Sequence, residues 1–215
     1  MTTSKRLRPS WPTLALCAAL AAIWLFMWRF GGGALDQRIY EALYAGQRPL
    51  LVVIARLLSD LGDPTVLIGL GFAVALWLWW HQRLRLGGAI LAETLIGRGL
   101  SEIQKFEIAR VRPALEPHLV VVKTSSFPSG HSTSSMIVGL TLALVLAAGT
   151  RWLRLCVGIA VVLSLAIGAS RVMLGVHWPS DVVGGWAFGL LWVMLTLRPA
   201  ERLFGPHSAK PSAKL

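Results

Sequence analysis

Three short polar blocks interrupt a largely apolar chain, and their residue types suit the handling of an anion. The first is Lys105, then six residues, then Arg112-Pro113; the second is Pro128-Ser129-Gly130-His131. The third is Ser170-Arg171, with His177 six positions on and Asp181 four beyond that. Lys105, Arg112 and Arg171 supply positive charge and a dense set of donors, and an arginine can fork two bonds to phosphate oxygens. Pro128-Ser129-Gly130 stands where an apolar helix opens, so the first backbone N–H groups of that helix are free to bind an anion. Gly130 lets the backbone approach such a ligand closely.

Two histidines divide the acid–base work. Asp181 and His177 are four apart, with Pro179 between them marking a helix start, so Asp181 falls near the third helical position and can reach back to His177. There it could accept the imidazole N–H and fix the tautomer, leaving the other nitrogen free to attack phosphorus. His131, at the start of another helix, could hand a proton to the departing group. No cluster of carboxylates stands in these blocks to hold magnesium or zinc, so the chemistry reads as metal-free and without a cofactor.

The elements that must position these residues are read from the hydropathy pattern. Of 215 residues, 55% are hydrophobic and 14% charged, where a soluble domain carries roughly a quarter charged. Apolar runs predict six membrane spans over about 12–30, 64–80, 86–104, 132–149, 155–169 and 179–197, joined by short loops. The first run is longer than a signal-peptide core, which favours an uncleaved anchor. Between the first two runs, Leu35, Ile39 and Leu43 recur every four residues against Asp36, Arg38 and Glu41, predicting an amphipathic helix in the interface within 34–62. Asp63-Pro64 reads as an N-cap followed by proline at the first helical position.

The net charge of +11 raises nucleic acid as a partner, but the basic residues lie in short clusters between apolar runs, the pattern of cytoplasmic membrane loops, which excludes nucleic acid. Lys5, Arg6, Arg8, Arg83, Arg85, Arg151, Arg154, Arg198, Arg202, Lys210 and Lys214 form one set, opposed only by Glu201. The positive-inside rule then puts both termini in the cytoplasm, with tails over 1–11 and 198–215. On that topology the end of span three, the start of span four and the link between spans five and six share the external side, so all three blocks can line one pocket. The same bias and the compact length point to a bacterial plasma (inner) membrane, with the site facing the periplasm or exterior.

The three blocks, with these spacings, resemble the signature of the type 2 phosphatidic acid phosphatase superfamily, which includes lipid phosphate phosphatases and shares its core with vanadium haloperoxidases. Lys105, Arg112, Pro113, Pro128, Ser129, Gly130, His131, Ser170, Arg171, His177 and Asp181 fill that signature. The resemblance covers about 100–197 by motif and, through the six-span layout, nearly the whole chain. It implies that His177 forms a phosphohistidine, that His131 protonates the leaving group and then assists hydrolysis, and that Asp181 orients His177. It further implies that Lys105, Arg112, Ser129, Gly130 and Arg171 bind phosphate oxygens. The expected substrate is a membrane lipid phosphate or diphosphate, of the undecaprenyl diphosphate, phosphatidylglycerol phosphate or phosphatidate class. Phosphotransfer to another acceptor, haloperoxidase chemistry and non-catalytic anion binding or transport are the rival readings.

Other features carry less. Cys17 and Cys156 are too few for a disulfide framework or metal site. Ser170 reads as a local hydrogen-bond partner, and His81 and His118 fall outside the blocks. Glu93 and Arg98 are ionisable residues inside a span, hence functional suspects, but five apart they do not stack on one helix face. Gly185 and Gly189 have the spacing that lets helices approach closely, and offer a face for a homodimer.

Overall fold

The computed structural model describes residues 11–204, with side chains described through Leu197. Among these residues the regular structure is entirely helical. In order the elements are α1 (Trp11–Phe30), α2 (Ala34–Leu43), α3 (Pro49–Leu61), α4 (Pro64–Trp80), α5 (Leu84–Ile108), α6 (Gly130–Leu146), α7 (Leu153–Met173) and α8 (Pro179–Phe204). By length and composition α1, α7 and the Pro179–Leu197 part of α8 are able to cross a membrane. The pair α3 and α4, bent by 43° at their junction, makes a fourth if taken as one broken span. α5 is 25 residues long but bears Glu93, Arg98, Glu102 and Lys105, and α6 has 17 residues; these rise about 37 and 25 Å.

Local chemistry explains the boundaries. Asp63 caps α4, its Oδ1 accepting from Thr65 N at 2.8 Å, with Pro64 in the first turn, as the sequence predicts. α5 ends at Ala109, which takes a left-handed conformation with φ 47° and turns the chain into the polar segment before α6. α8 runs past Leu197, the predicted end of the last span, to Phe204. The expected tails fall on residues 1–10 and 205–215, outside the described residues, apart from Trp11 and these last turns of α8.

α6 is the central helix, packed against α4, α5, α7 and α8. Its lower half meets α8 through Met136, Ile137, Leu140, Val193 and Leu197. The Gly185–Gly189 face is used up here, which corrects the expectation of a homodimer surface. A Cβ on Gly185 would lie 2.9 Å from Ser129 O, and one on Gly189 2.9 Å from Met136 Cβ, so both glycines bring α8 onto α6 of the same chain. α1 lies along α8 and exposes Leu14, Leu16, Leu25 and Phe26 outward.

The 34–62 segment is two helices with a break over 44–48. α2 turns Leu35, Ile39 and Leu43 outward and buries Asp36 and Tyr40. Asp36 Oδ1 accepts from Ser180 N at 2.9 Å and its Oδ2 from Gly32 N at 2.6 Å, pinning the α1–α2 corner to the start of α8. α3 packs on α7. The C-terminal ends of α1, α5 and α7 and the N-terminal ends of α4, α6 and α8 thus gather at one end of the bundle. The turns carrying Arg83 and Arg151 lie at the other.

Candidate active site

His177 sits in the short link between α7 and α8, and the link is held from three sides. Tyr40 Oη donates to Gly175 O at 3.3 Å, Leu119 N to Leu174 O at 3.0 Å, and Ala45 N to Met173 O at 2.9 Å. Gly175 has φ +78°, a conformation that suits glycine, and Tyr40 Oη and a Tyr44 ring carbon would each stand 3.0 Å from a Cβ there. The turn therefore presents His177, 2% exposed, to the interior.

Asp181 lies in the first turn of α8, where the proline placed it, and is fully buried. Its Oδ2 accepts from Trp178 N at 2.9 Å and from the Ser126 hydroxyl, and stands 3.4 Å from His177 Nδ1. With the carboxylate on the Nδ1 side, His177 Nε2 faces Arg112 Nη1 at 3.2 Å. Burial first, and then the charges of Arg112, Lys105 and Arg171, hold the His177 pKa well below the ordinary histidine value. The ring is thus neutral at neutral pH, with a lone pair on Nε2, the form a nucleophile requires.

His131 opens α6 on the other side of the same cavity. This cavity, of about 210 Å³, is lined by Lys105, Arg112, Arg171, His131, His177 and Gly130, together with Arg98, Asp63 and the 121–124 strap. The structure therefore brings the three sequence blocks together. Lys105 Nζ donates to Ser125 O at 2.9 Å, and Arg112 to Thr124 O at 2.7 Å and Val176 O at 2.5 Å. Ser129, the N-cap of α6, is fully buried with its hydroxyl unpartnered. Ser129 is not itself among the lining residues; its neighbours Gly130 and His131 are, so the start of α6, whose first N–H groups suit an anion, is what meets the cavity.

Four residues at this end have no site role in the sequence reading, which treats Asp63 only as a helix cap. Arg110 pairs with Asp181 Oδ1 at 2.8 Å and reaches Ser180 Oγ at 3.1 Å. Its other terminal nitrogen donates to Met27 O at 2.7 Å and Trp28 O at 2.5 Å, carbonyls in the last turn of α1. Ser126 is the second holder of Asp181. Ser59, on α3, accepts from Arg171 Nη1 and lies 3.5 Å from His131 Nε2. Asp63 lines the cavity mouth.

Of the two suspects left unassigned, Glu93 is remote from the cavity and accepts from the Thr196 hydroxyl at 2.7 Å, which makes it a tie between α5 and α8. Arg98 lines the cavity and pairs with Glu102, one turn on, at 2.8 Å. Ser170 Oγ donates to Ile167 O at 2.6 Å, the local role expected of it. Among the described residues no trio of His, Cys, Asp or Glu converges as a metal site.

Comparison with known proteins agrees with this architecture. The model of the PAP2 superfamily matches residues 84–203. Phosphatidylglycerophosphatase B of Bacillus subtilis is 32% identical over 164 residues, covering 74% of this chain and 80% of that one. An undecaprenyl-diphosphatase of Sulfolobus acidocaldarius is 30% identical over 54% of this chain and 55% of its own length. The crystal structure of a transmembrane PAP2-type phosphatidylglycerolphosphate phosphatase from Bacillus subtilis superimposes with a TM-score of 0.77 at 26% identity, covering 92% of this chain and all of that one. The family match spans α5 to α8 and the links between them, which together carry Lys105, Arg112, His131, Arg171, His177 and Asp181, so on site and fold alike the chain belongs to the PAP2 superfamily.

Proposed function

We propose that this enzyme hydrolyses a lipid phosphate or diphosphate at the external face of a bacterial plasma membrane, without a metal ion, through a phosphohistidine on His177. The observation that carries the reading is His177 Nε2, free of its carboxylate and facing a cavity shared by Lys105, Arg112, Arg171 and His131. Transport or anion binding needs the cations but has no use for a neutral, oriented imidazole.

In this mechanism the Lys105, Arg112 and Arg171 side chains, Ser129 Oγ and the Gly130 end of α6 hold the nonbridging oxygens. His177 Nε2 attacks phosphorus, the N–P bond forms, and the bond from phosphorus to the leaving oxygen breaks. His131 gives that oxygen its proton. Asp181 accepts the Nδ1–H throughout and offsets the positive charge that develops on the ring. His131, now a base, takes a proton from water; the oxygen of that water attacks phosphorus, the N–P bond breaks, and inorganic phosphate leaves. The cations offset charge on the transferring group in a largely water-excluded site.

Six spans over the 12–197 catalytic domain, with both termini cytoplasmic, fit this reading. The site end of the bundle is opposite the turns bearing Arg83, Arg85, Arg151 and Arg154, so the positive-inside rule directs the cavity outward. The outward-facing Leu35, Ile39 and Leu43 of α2 suit the lipid boundary at that level. The names of the relatives support undecaprenyl diphosphate and phosphatidylglycerol phosphate as substrates, and phosphatidate is a third that rests on the motif resemblance alone.

The test is phosphate release by the purified protein in detergent with a chelator present. The panel holds those three lipids and one soluble phosphate ester, beside His177→Asn. Release from one lipid well above the others, absent in the variant, is expected. No release from any lipid by intact protein would overturn hydrolysis and favour a phosphotransferase lacking its acceptor.

A further inference from the structure

We propose that Arg98 is the binding residue for a second phosphate group, the one that departs with the lipid, and so equips the site for a diphosphate. The inference rests on the phosphatase reading above and deepens it. Arg98 comes from mid-α5, outside the three sequence blocks, yet lines the same cavity as His131 and His177.

Three observations carry it. Arg98 Nη2 is held by Glu102 at 2.8 Å, while Nη1 is buried without a hydrogen-bond partner. A guanidinium N–H buried and unpaired is costly, and a ligand oxygen would relieve it. Second, Gly130 makes the room: a Cβ there would lie 2.7 Å from Arg98 Nη1 and 3.6 Å from Lys105 Cε. The missing side chain at the start of α6 thus brings Arg98 beside the anion-binding end of that helix.

The third observation is position. Arg112 Nη1 stands 3.2 Å from His177 Nε2, on the attacking side. Arg98 Nη1 instead approaches Gly130, the residue next to His131 at the start of α6, on the leaving-group side. In phosphoryl transfer the attacking and leaving groups lie roughly in line across phosphorus. A cation beside His131 is therefore placed for what departs. A lipid alkoxide leaving from a monophosphate needs a proton, which His131 supplies. A lipid phosphate leaving from a diphosphate carries its own negative charge and calls for a cation instead.

The test uses two substrates with one tail, farnesyl diphosphate and farnesyl phosphate, on the purified full chain in detergent. Arg98→Gln is expected to lower kcat/KM on the diphosphate about 10- to 100-fold, the scale of one charge-assisted hydrogen bond. Its effect on the monophosphate should be less than about threefold, and Arg98→Lys should recover part of the diphosphate loss. Equal loss on both substrates, or no loss on either, overturns the assignment. Release by the wild type from the monophosphate alone also overturns it, while leaving the phosphatase reading intact; release from neither overturns both. If Arg98→Gln does not run as a single species on gel filtration, Arg98→Lys carries the same comparison, with a selective loss on the diphosphate supporting the assignment and an equal or absent loss overturning it.

Discussion

Arg110 and Asp181, 71 residues apart in the chain, form an ion pair at 2.8 Å in which the carboxylate is fully buried and the arginine nearly so. The same guanidinium caps the end of α1 through Met27 O and Trp28 O and stacks over Phe127, its carbon 4.5 Å from the ring centre. One side chain thus ties the peripheral helix to the carboxylate that stands beside His177 Nδ1.

Arg110→Gln should therefore affect both stability and rate. Removing one partner of a buried pair costs about 3–5 kcal/mol. The melting temperature in detergent should fall. Because Arg110 stands behind Asp181 and does not line the cavity, kcat on phosphatidate should drop at least about tenfold with KM changed less than about threefold. A rise in KM at constant kcat would show that Arg110 contacts substrate instead.

The acid side of the pH profile follows from His177. Its burial and the surrounding cations disfavour the imidazolium, so the ring stays neutral as pH falls through the ordinary value of 6.5. Between about pH 5 and 8, kcat/KM should show no acid limb centred near 6.5. Arg112→Gln removes a positive charge from beside Nε2, which raises the His177 pKa and moves the acid limb upward. Profiles of the wild type and the variant, compared by limb position and not by height, check this. An acid limb at 6.5 that stays in place in Arg112→Gln would belong to a group other than His177, and would overturn this account of its ionisation.

Vanadate should inhibit the enzyme, because its trigonal-bipyramidal adduct on His177 resembles the transition state. Binding measured by calorimetry should be lost in His177→Asn even though the cations remain. Equal affinity for both proteins would indicate binding to the cation cradle without a bond to the imidazole.

Gly185→Ala tests the α6–α8 contact. The added methyl would meet Ser129 O and Ser132 Cβ, each at 2.9 Å, and a backbone oxygen has little freedom to yield. Overpacking of this kind costs about 1–3 kcal/mol. The melting temperature in detergent should fall, and Ser129 should move away from the cavity, with lower kcat/KM. An unchanged melting temperature would show that this face is open, as a dimer contact would be.

The sequence by itself determined the chemistry-bearing blocks and their elements. Pro179 before Asp181, the Ser129-Gly130 helix start and the Asp63-Pro64 cap are local signals, each read within a few residues, and the helices begin where those signals stand. Lys105, Arg112, Arg171 and the two histidines were legible because their spacing fits helix ends on one side of an apolar bundle. Tertiary structure alone decided who holds them. Arg110 and Ser126 on Asp181, Ser59 on Arg171 and Arg98 beside Gly130 meet across 71, 55, 112 and 32 positions, and no local pattern encodes such distances. Tertiary structure also decided which way each face turns. In a bundle whose surroundings are as apolar as its interior, hydropathy does not distinguish lipid from protein. So Leu35, Ile39 and Leu43 could be read as a stripe but Asp36 not as its buried opposite, and Gly185–Gly189 could be read as a close contact but not as one made with α6 of the same chain.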